Sequence, residues 1–162
     1  MERRLVLVRH AKAEQGGGDD AARALSGRGR RDAGEIGRWL RAQDVVPELA
    51  VVSPAQRTVE TWSIAAAELD NPPRVATDGR IYDNSVAALL AVIADSDADA
   101  RSLVLVGHNP SMQDLAARLA PDDADLAASF PTSSVAMFAV SGDWGELADS
   151  DASLVAFHVC RG

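Results

Sequence analysis

The sequence contains few cysteine, lysine and aromatic residues, and each scarcity restricts the kinds of site and structure that the protein can have. Cys160 is the one cysteine among 162 residues, which excludes an intramolecular disulfide and a cysteine-based metal cluster. A chain without disulfides fits a reducing compartment, so we predict a cytoplasmic protein. Lys12 is the one lysine and aromatic residues make up 4% of the chain, so its positive charge comes almost entirely from arginine.

Long apolar runs and an excess of positive charge are also absent. The apolar run near the N-terminus, Leu5 to Val8, is too short for a signal peptide, and no stretch reaches the length of a membrane span. The formal net charge is −8, and nucleic acid and anionic membranes both favour a basic surface. We therefore predict no nucleic-acid partner and no membrane association. Any anion that the protein binds must meet a local cluster of positive side chains.

Short apolar strands alternate with amphipathic helices along most of the chain, whose length is that of one domain. Buried strands are predicted at 3–8, 49–52 and 102–107, and two more end the chain at 133–140 and 152–159. Helices are predicted from Gly27 to 43 and over 53–69, 85–95 and 109–120. This order predicts an α/β fold with a mostly parallel central sheet, helices on both faces and two neighbouring C-terminal strands.

Three of these helices follow a side chain that can cap them. Ser26 precedes the first helix, and Asn109 precedes the last. Ser53 begins the sequence Ser-Pro-Ala-Gln, which has the pattern of a capping box closed by Gln56. We therefore predict that Ser26, Ser53 and Asn109 are the N-caps of their helices.

Basic and histidine side chains follow three of the predicted strands. Arg9 and His10 end the first strand, Arg57 lies one turn into the helix after the second, and His108 follows the third. The carboxyl ends of parallel strands meet at one edge of a sheet, where helix N-termini also favour anions. Arginine grips phosphate oxygens in pairs, and a neutral imidazole can attack phosphorus. The pattern therefore predicts a phosphate pocket with a candidate nucleophile.

Four segments, in this order, resemble motifs of the histidine phosphatase superfamily, which has the phosphoglycerate mutase-like fold. They are "RHAKAE" (9–14), "RALSGRGRRDA" (23–33), "VVSPAQRTVET" (51–61) and "LVLVGHNPSM" (103–112). With the short chain and the later "FPTSSVAMF" (130–138), they are most similar to SixA-type phosphohistidine phosphatases. The resemblance covers nearly the whole chain and implies one histidine phosphatase domain over residues 1–162.

The resemblance also implies a mechanism. His10 is expected to be the nucleophile that becomes phosphohistidine, while Arg9, Arg57 and His108 bind the phosphoryl oxygens. Water then hydrolyses the phosphoenzyme, and neither a metal nor another cofactor is required. The implied substrate is phosphohistidine on a protein.

One position departs from the superfamily pattern, and a second has two alternative roles. Ala11 stands where the superfamily usually has glycine after the histidine, and glycine tolerates backbone angles that alanine resists. Asp83, in "RIYD", lies where many members of the superfamily carry a general acid. Such an acid protonates the leaving oxygen of an alkyl ester, whereas imidazole leaves more readily. Asp83 is therefore either a general acid or a cap of the helix that begins near Ser85.

Two other functions remain open at this point. A small-molecule phosphomonoesterase or mutase on the same scaffold would act on a small phosphorylated substrate instead of a phosphorylated protein. A non-catalytic phosphate-binding module would use the same cations and never form a phosphoenzyme. A metal site is disfavoured, because His10 and His108 have no third ligand at a recognised spacing.

Overall fold

A six-stranded sheet forms the centre of the computed structural model, which describes residues 2–148 and 152–162. The elements are, in chain order, β1 (Glu2–Arg9), α1 (Gly27–Ala42), β2 (Leu49–Val52), α2 (Gln56–Ala66), β3 (Arg74–Thr77), α3 (Val86–Ala94), β4 (Ser102–Gly107), α4 (Ser111–Leu119), α5 (Ala124–Ala128), β5 (Ser134–Ser141) and β6 (Ala152–Val159). Short 3-10 turns lie at Asp20–Ala22, Gly79–Asp83 and Trp144–Glu146. None of the helices in the described part of the chain is long and apolar enough to cross a bilayer.

The sheet is mixed, and its parallel part positions the site. The strand order is β3-β2-β4-β1-β5-β6, in which β3, β2, β4 and β1 run parallel. β5 pairs antiparallel with β1, and β6 pairs antiparallel with β5. Val106 of β4 lies between Val8 of β1 and Val52 of β2, so these three strands end side by side. The predicted α/β fold with two C-terminal strands is confirmed.

Helices cover both faces of the sheet because successive strand residues point to opposite sides. Leu5 and Leu7 of β1 pack in one apolar cluster with residues of α3 and α4, including Leu89 and Leu115. The alternate residues of β1 and β4 pack in a second cluster with side chains of α1 and α2, namely Val6, Val8, Val104, Val106, Ile36, Leu40 and Trp62. The near-continuous apolar runs of the strands are explained by burial on both faces.

The predicted cap of α1 is confirmed, and those of α2 and α4 are wrong. Ser26 Oγ accepts a hydrogen bond from the Gly29 N–H at 3.0 Å. α2 begins later than predicted, with Ala55 at its cap position, because Ser53 turns its hydroxyl towards His108. α4 begins after Pro110, and the Asn109 side chain instead donates to the carbonyl of a distant loop. At both helices a tertiary partner takes the side chain that local sequence assigned to capping.

Candidate active site

A pocket of about 540 Å³ opens where β1, β2 and β4 end. Its walls come from all three strand ends and from the loop between β1 and α1. They are formed by Arg9, His10, Lys12, Ala13, Gln15, Asp20, Arg23, Arg57, Tyr82, Asn84, His108, Asn109 and Thr132. The structure therefore brings together the two arginines and two histidines that the strand ends predicted.

The backbone and ring of His10 are both held in place. Its backbone N–H donates to the Gly107 carbonyl at 3.1 Å, and its carbonyl accepts from the Ser133 N–H at 3.1 Å. Its ring Nδ1 lies 2.7 Å from the Ala11 carbonyl. A carbonyl only accepts, so this contact assigns the proton to Nδ1 and leaves the lone pair on Nε2. His10 therefore has the tautomer that a nucleophile acting through Nε2 needs.

Both pocket histidines are neutral near neutral pH. Burial, with the charges of His108, Arg57 and Arg9, lowers the pKa of His10 to about 3, although its bond to Ala11 acts in the opposite direction. Burial and the charge of Arg57 likewise lower the pKa of His108 to about 4. The positive charges of Arg9 and Arg57 beside these rings thus favour the neutral imidazole form, which is the nucleophilic form of histidine.

His108 is held between two side chains from other parts of the chain. Its Nε2 lies 2.8 Å from Ser53 Oγ, and the edge of the Tyr82 ring approaches it with centroids 5.6 Å apart. The centroids of the His10 and His108 rings are 5.4 Å apart. These contacts fix His108 beside the candidate nucleophile.

Arg9 is anchored by one terminal nitrogen and Arg57 by both, and each keeps a buried Nε without a partner in the described chain. Arg9 Nη1 donates to the Phe130 carbonyl at 3.1 Å, and both terminal nitrogens of Arg57 bind Asp20. Arg9 Nε, Arg57 Nε and His108 Nδ1 are buried without a hydrogen-bond partner among residues 2–148 and 152–162. Buried polar atoms are normally satisfied, so three unpartnered donors on pocket-lining residues suit an anion with several oxygens, whereas the unpartnered Asn109 Oδ1 is an acceptor.

The residue after His10 is fixed by a motif threonine. The Ala11 N–H donates to Thr61 Oγ1 at 3.0 Å, and that hydroxyl donates to the Arg57 carbonyl at 2.6 Å. Ala11 is fully buried and is not one of the described non-glycine residues with positive φ. Alanine therefore fits this position without backbone strain.

The next residue, Lys12, is held by the start of α1. Its carbonyl accepts from the Ser26 N–H at 2.9 Å and from Ser26 Oγ at 3.1 Å. A side chain at Gly29 would overlap this same carbonyl. The glycine of the "LSGRG" segment therefore lets the strand that carries His10 pack closely against α1.

Asp83 does not join the pocket. Its side chain is exposed, and its neighbours Tyr82 and Asn84 line the walls instead. This placement argues against the acid role. The capping alternative is wrong, because Ser85 caps α3 by accepting from the Ala88 N–H at 3.1 Å.

Asp20, Tyr82 and Asn84 are among the lining residues whose place in the pocket the sequence does not predict. Asn84 adopts φ 62°, donates to the Asn109 carbonyl at 2.7 Å and accepts from the Ser111 N–H at 3.1 Å. An asparagine just before a helix cap was the available signal, since asparagine tolerates left-handed angles in turns. The glycine-rich loop that carries Asp20 has no periodicity from which its position could be predicted.

No metal centre accompanies these groups in the part of the chain that the structure describes. There, no three or more His, Cys, Asp or Glu side chains form a group that could hold an ion. The charged and nucleophilic groups that the pocket offers are therefore three guanidinium groups, the Lys12 ammonium, two neutral imidazoles and the Asp20 carboxylate.

Solved structures with this architecture include two proteins provisionally named phosphohistidine phosphatase SixA. The protein from Nakamurella multipartitia superposes with a TM-score of 0.89 and 28% identity, covering 99% of this chain and 97% of that one. The protein from Agrobacterium tumefaciens gives 0.80 and 26%, covering 96% and 97%.

Comparison at the level of sequence leads to the same family. An uncharacterised protein of Mycobacterium tuberculosis is 35% identical over 162 residues, which covers 95% of this chain and all of the relative. The model of the histidine phosphatase superfamily, branch 1, matches residues 5–142, from β1 to the end of β5. The chain belongs to branch 1 of the histidine phosphatase superfamily.

Proposed function

We propose that the protein hydrolyses phosphohistidine on a phosphorylated protein, through a phosphoenzyme formed on His10. The observation that carries this proposal is the 2.7 Å contact between His10 Nδ1 and the Ala11 carbonyl. It leaves Nε2 unprotonated in a pocket that Arg9 and Arg57 also line. A residue that only bound phosphate by charge would need the imidazolium form, which burial disfavours here.

In the first step, the Nε2 lone pair of His10 attacks phosphorus. The P–N bond of the substrate breaks, and its electron pair returns to the substrate nitrogen. When the other nitrogen of that ring carries a proton, the imidazole leaves as a neutral molecule. The proton stays on His10 Nδ1, and the Ala11 carbonyl that accepts its hydrogen bond stabilises the positive charge that the ring acquires.

In the second step, water attacks the phosphoenzyme. The bond between phosphorus and His10 Nε2 breaks, inorganic phosphate leaves, and the proton of the water goes to phosphate. Arg9, Arg57 and His108 bind the non-bridging oxygens in both steps, through the buried donors that have no protein partner in the described chain. Fixed donors of this kind stabilise charge that develops in the transition state.

The pocket has no protonated carboxyl group among its described lining residues, and this favours phosphohistidine over an alkyl ester as the substrate. Asp20 supplies the one carboxyl group among the described lining residues, and hydrogen bonds from Tyr82, Arg23 and Arg57 hold its pKa well below the usual range. An ionised carboxylate cannot protonate a departing alkoxide, whereas imidazole needs no such acid. The similarity to the two proteins named SixA supports the same substrate class.

The decisive experiment measures substrate preference and the phosphoenzyme together, with a chelator present. We expect phosphohistidine on a carrier protein to be hydrolysed much faster than an aryl or alkyl phosphate, and a histidine-bound phosphate to be trapped by rapid acid-free quenching. His10→Ala should lose both. His158→Ala, a change at an exposed histidine of β6, is the matched control and should keep both.

Each alternative outcome would assign the protein a different function or mechanism. Faster hydrolysis of esters would identify a small-molecule phosphomonoesterase. Phosphate binding without turnover or phosphoenzyme would identify a binding module. Loss of activity on adding the chelator would contradict the metal-free mechanism.

A further inference from the structure

The pocket contains an anion of its own, the carboxylate of Asp20. Arg57 Nη1 donates to the Asp20 backbone carbonyl at 2.8 Å, and Arg57 Nη2 donates to Asp20 Oδ2 at 3.0 Å. The Arg57 side chain is 8% exposed, whereas that of Asp20 is 51% exposed. A buried phosphate-binding arginine is therefore covered from the solvent side by an exposed acidic residue.

Two further donors hold the same carboxylate. Tyr82 donates its hydroxyl to Asp20 Oδ2 at 2.6 Å, and Arg23 Nη1 donates to Asp20 Oδ1 at 3.1 Å. A carboxylate presents two oxygens to a guanidinium much as a phosphoryl group does. Asp20 thus occupies Arg57 in the way that a substrate oxygen would.

The Asp20 carboxylate and a phosphoryl group compete for the same nitrogen of Arg57. Arg57 Nε is buried and has no partner in the described chain. Two phosphoryl oxygens that bind the edge of the Arg57 guanidinium carrying Nε accept parallel hydrogen bonds from Nε and Nη2. Nη2 is the nitrogen that Asp20 Oδ2 holds, so the carboxylate must give it up.

Of the two partners, Asp20 lies on the segment with fewer buried contacts. It begins a single 3-10 turn, Asp20–Ala22, in which no residue is buried. Gly17 and Gly18 precede this turn and have open space around them. Segments with few buried contacts open at low free energy, whereas Arg57 lies on a packed helix.

We propose that Asp20 is an intramolecular competitor of the phosphoryl group for Arg57, displaced when substrate binds and restored when phosphate leaves. The proposal rests on the proposed function, because it takes Arg57 as a phosphoryl-binding residue. It makes the Asp20–Arg57 ion pair an autoinhibitory contact that weakens the binding of product phosphate.

The first test is the affinity of the full-length protein for inorganic phosphate, measured by calorimetry. Asp20→Asn removes the competing charge and should tighten binding by roughly three- to tenfold, the range expected for a half-exposed ion pair to a buried guanidinium. Asp19→Asn is the matched control. It removes a charge one residue away, and asparagine can still accept the Ala21 N–H that Asp19 Oδ1 accepts at 3.2 Å.

A second variant separates competition from a simple change in charge. Tyr82→Phe removes one hydrogen bond to the Asp20 carboxylate and leaves every charge and the aromatic ring in place. It should tighten phosphate binding by about two- to threefold. Adding Tyr82→Phe to Asp20→Asn should give no further gain, because both changes act on the same contact.

Three results would overturn the proposal. Unchanged or weaker phosphate binding in Asp20→Asn, with the fold intact by circular dichroism, would mean that Asp20 positions Arg57 instead. Equal gains in Asp20→Asn and Asp19→Asn, with none in Tyr82→Phe, would leave only a general effect of charge. Neither of these two results would contradict the formation of a phosphoenzyme on His10. A wild-type protein that neither binds phosphate nor forms a phosphoenzyme would remove the proposed function and this proposal together.

Discussion

Ser53 and His108 are joined at the edge of the sheet by a contact of 2.8 Å between Ser53 Oγ and His108 Nε2. Ser53 Oγ also accepts from the Ala55 N–H at 3.3 Å, so its own hydrogen is available to His108. With Ser53 as the donor of this hydrogen bond, the ring carries its proton on Nδ1, which is buried without a partner in the described chain. Ser53 thus acts on the proposed reaction through His108, as a positioning residue that sets its tautomer.

Ser53→Ala should therefore weaken phosphate binding and turnover by about tenfold, the effect of one lost hydrogen bond to a group that stabilises charge. The ring nitrogens of His108 should also change their NMR shifts, because the tautomer is no longer fixed. A protein that keeps its activity and its His108 shifts would show that Ser53 only packs against the ring.

Gly29→Ala should destabilise the protein and the site together. A Cβ at this position would overlap the Lys12 carbonyl, which must move away from Ser26. Overpacking of this kind lowers the free energy of unfolding by about 1–3 kcal/mol, measured by urea denaturation. Gly27→Ala is the control, because its Cβ would meet only the end of the Arg31 side chain, 3.9 Å away. Equal stability of the two variants would contradict the close approach.

The pocket histidines should make the protein less stable as the solution becomes acidic. Their pKa values fall from 6.5 to about 3 and about 4 on folding, so below 6.5 the unfolded chain binds protons that the folded chain does not. The stabilisation is complete above the unfolded pKa and is lost as the pH falls towards the folded one. Between about pH 7 and about pH 5, each histidine should remove roughly 1–2 kcal/mol from the free energy of unfolding.

Urea denaturation at these two pH values, in buffers without phosphate, tests this directly. His10→Gln and His108→Gln should each lose less stability on acidification than the wild type does. A pH dependence identical to that of the wild type in both variants would mean that the two imidazoles are not held neutral by the fold.

Asp83→Asn should leave hydrolysis of phosphohistidine within about twofold of the wild type, because its exposed carboxyl lies outside the pocket walls. The pH profile of turnover should also keep its shape. Loss of an ionisation from that profile, together with a loss of rate on alkyl esters, would restore Asp83 as the general acid.

Much of the fold could be predicted because its signals are local. The strands are short apolar runs, the helices have a clear apolar face, and Ser26 caps α1 as its sequence indicates. Ser53 and Asn109 carry equally good local signals, but neither caps its helix. Each has a partner far along the chain, His108 and Phe130 respectively, and such competition does not show in a local pattern.

The same distinction holds for the site. The residues that end strands could be placed together, because parallel strands bring their carboxyl ends to one edge. Asp20 could not, because it reaches the pocket from a loop whose path depends on contacts with Arg57 and Tyr82. The place of Asn84 in the pocket is not predictable for a related reason. It lies in a left-handed turn, and its side chain joins that turn to the distant residue Asn109.

The hydrogen bond between Arg9 and the Phe130 carbonyl joins residues 121 positions apart in the chain. The Ser133 N–H holds the His10 carbonyl from the same distant segment. During synthesis on the ribosome, the N-terminal motif therefore emerges long before the residues that fix it. Formation of such non-local contacts is slow, so the pocket is assembled only after most of the chain has been made. A nascent chain that ends before β5 would carry His10 and both arginines without an organised site.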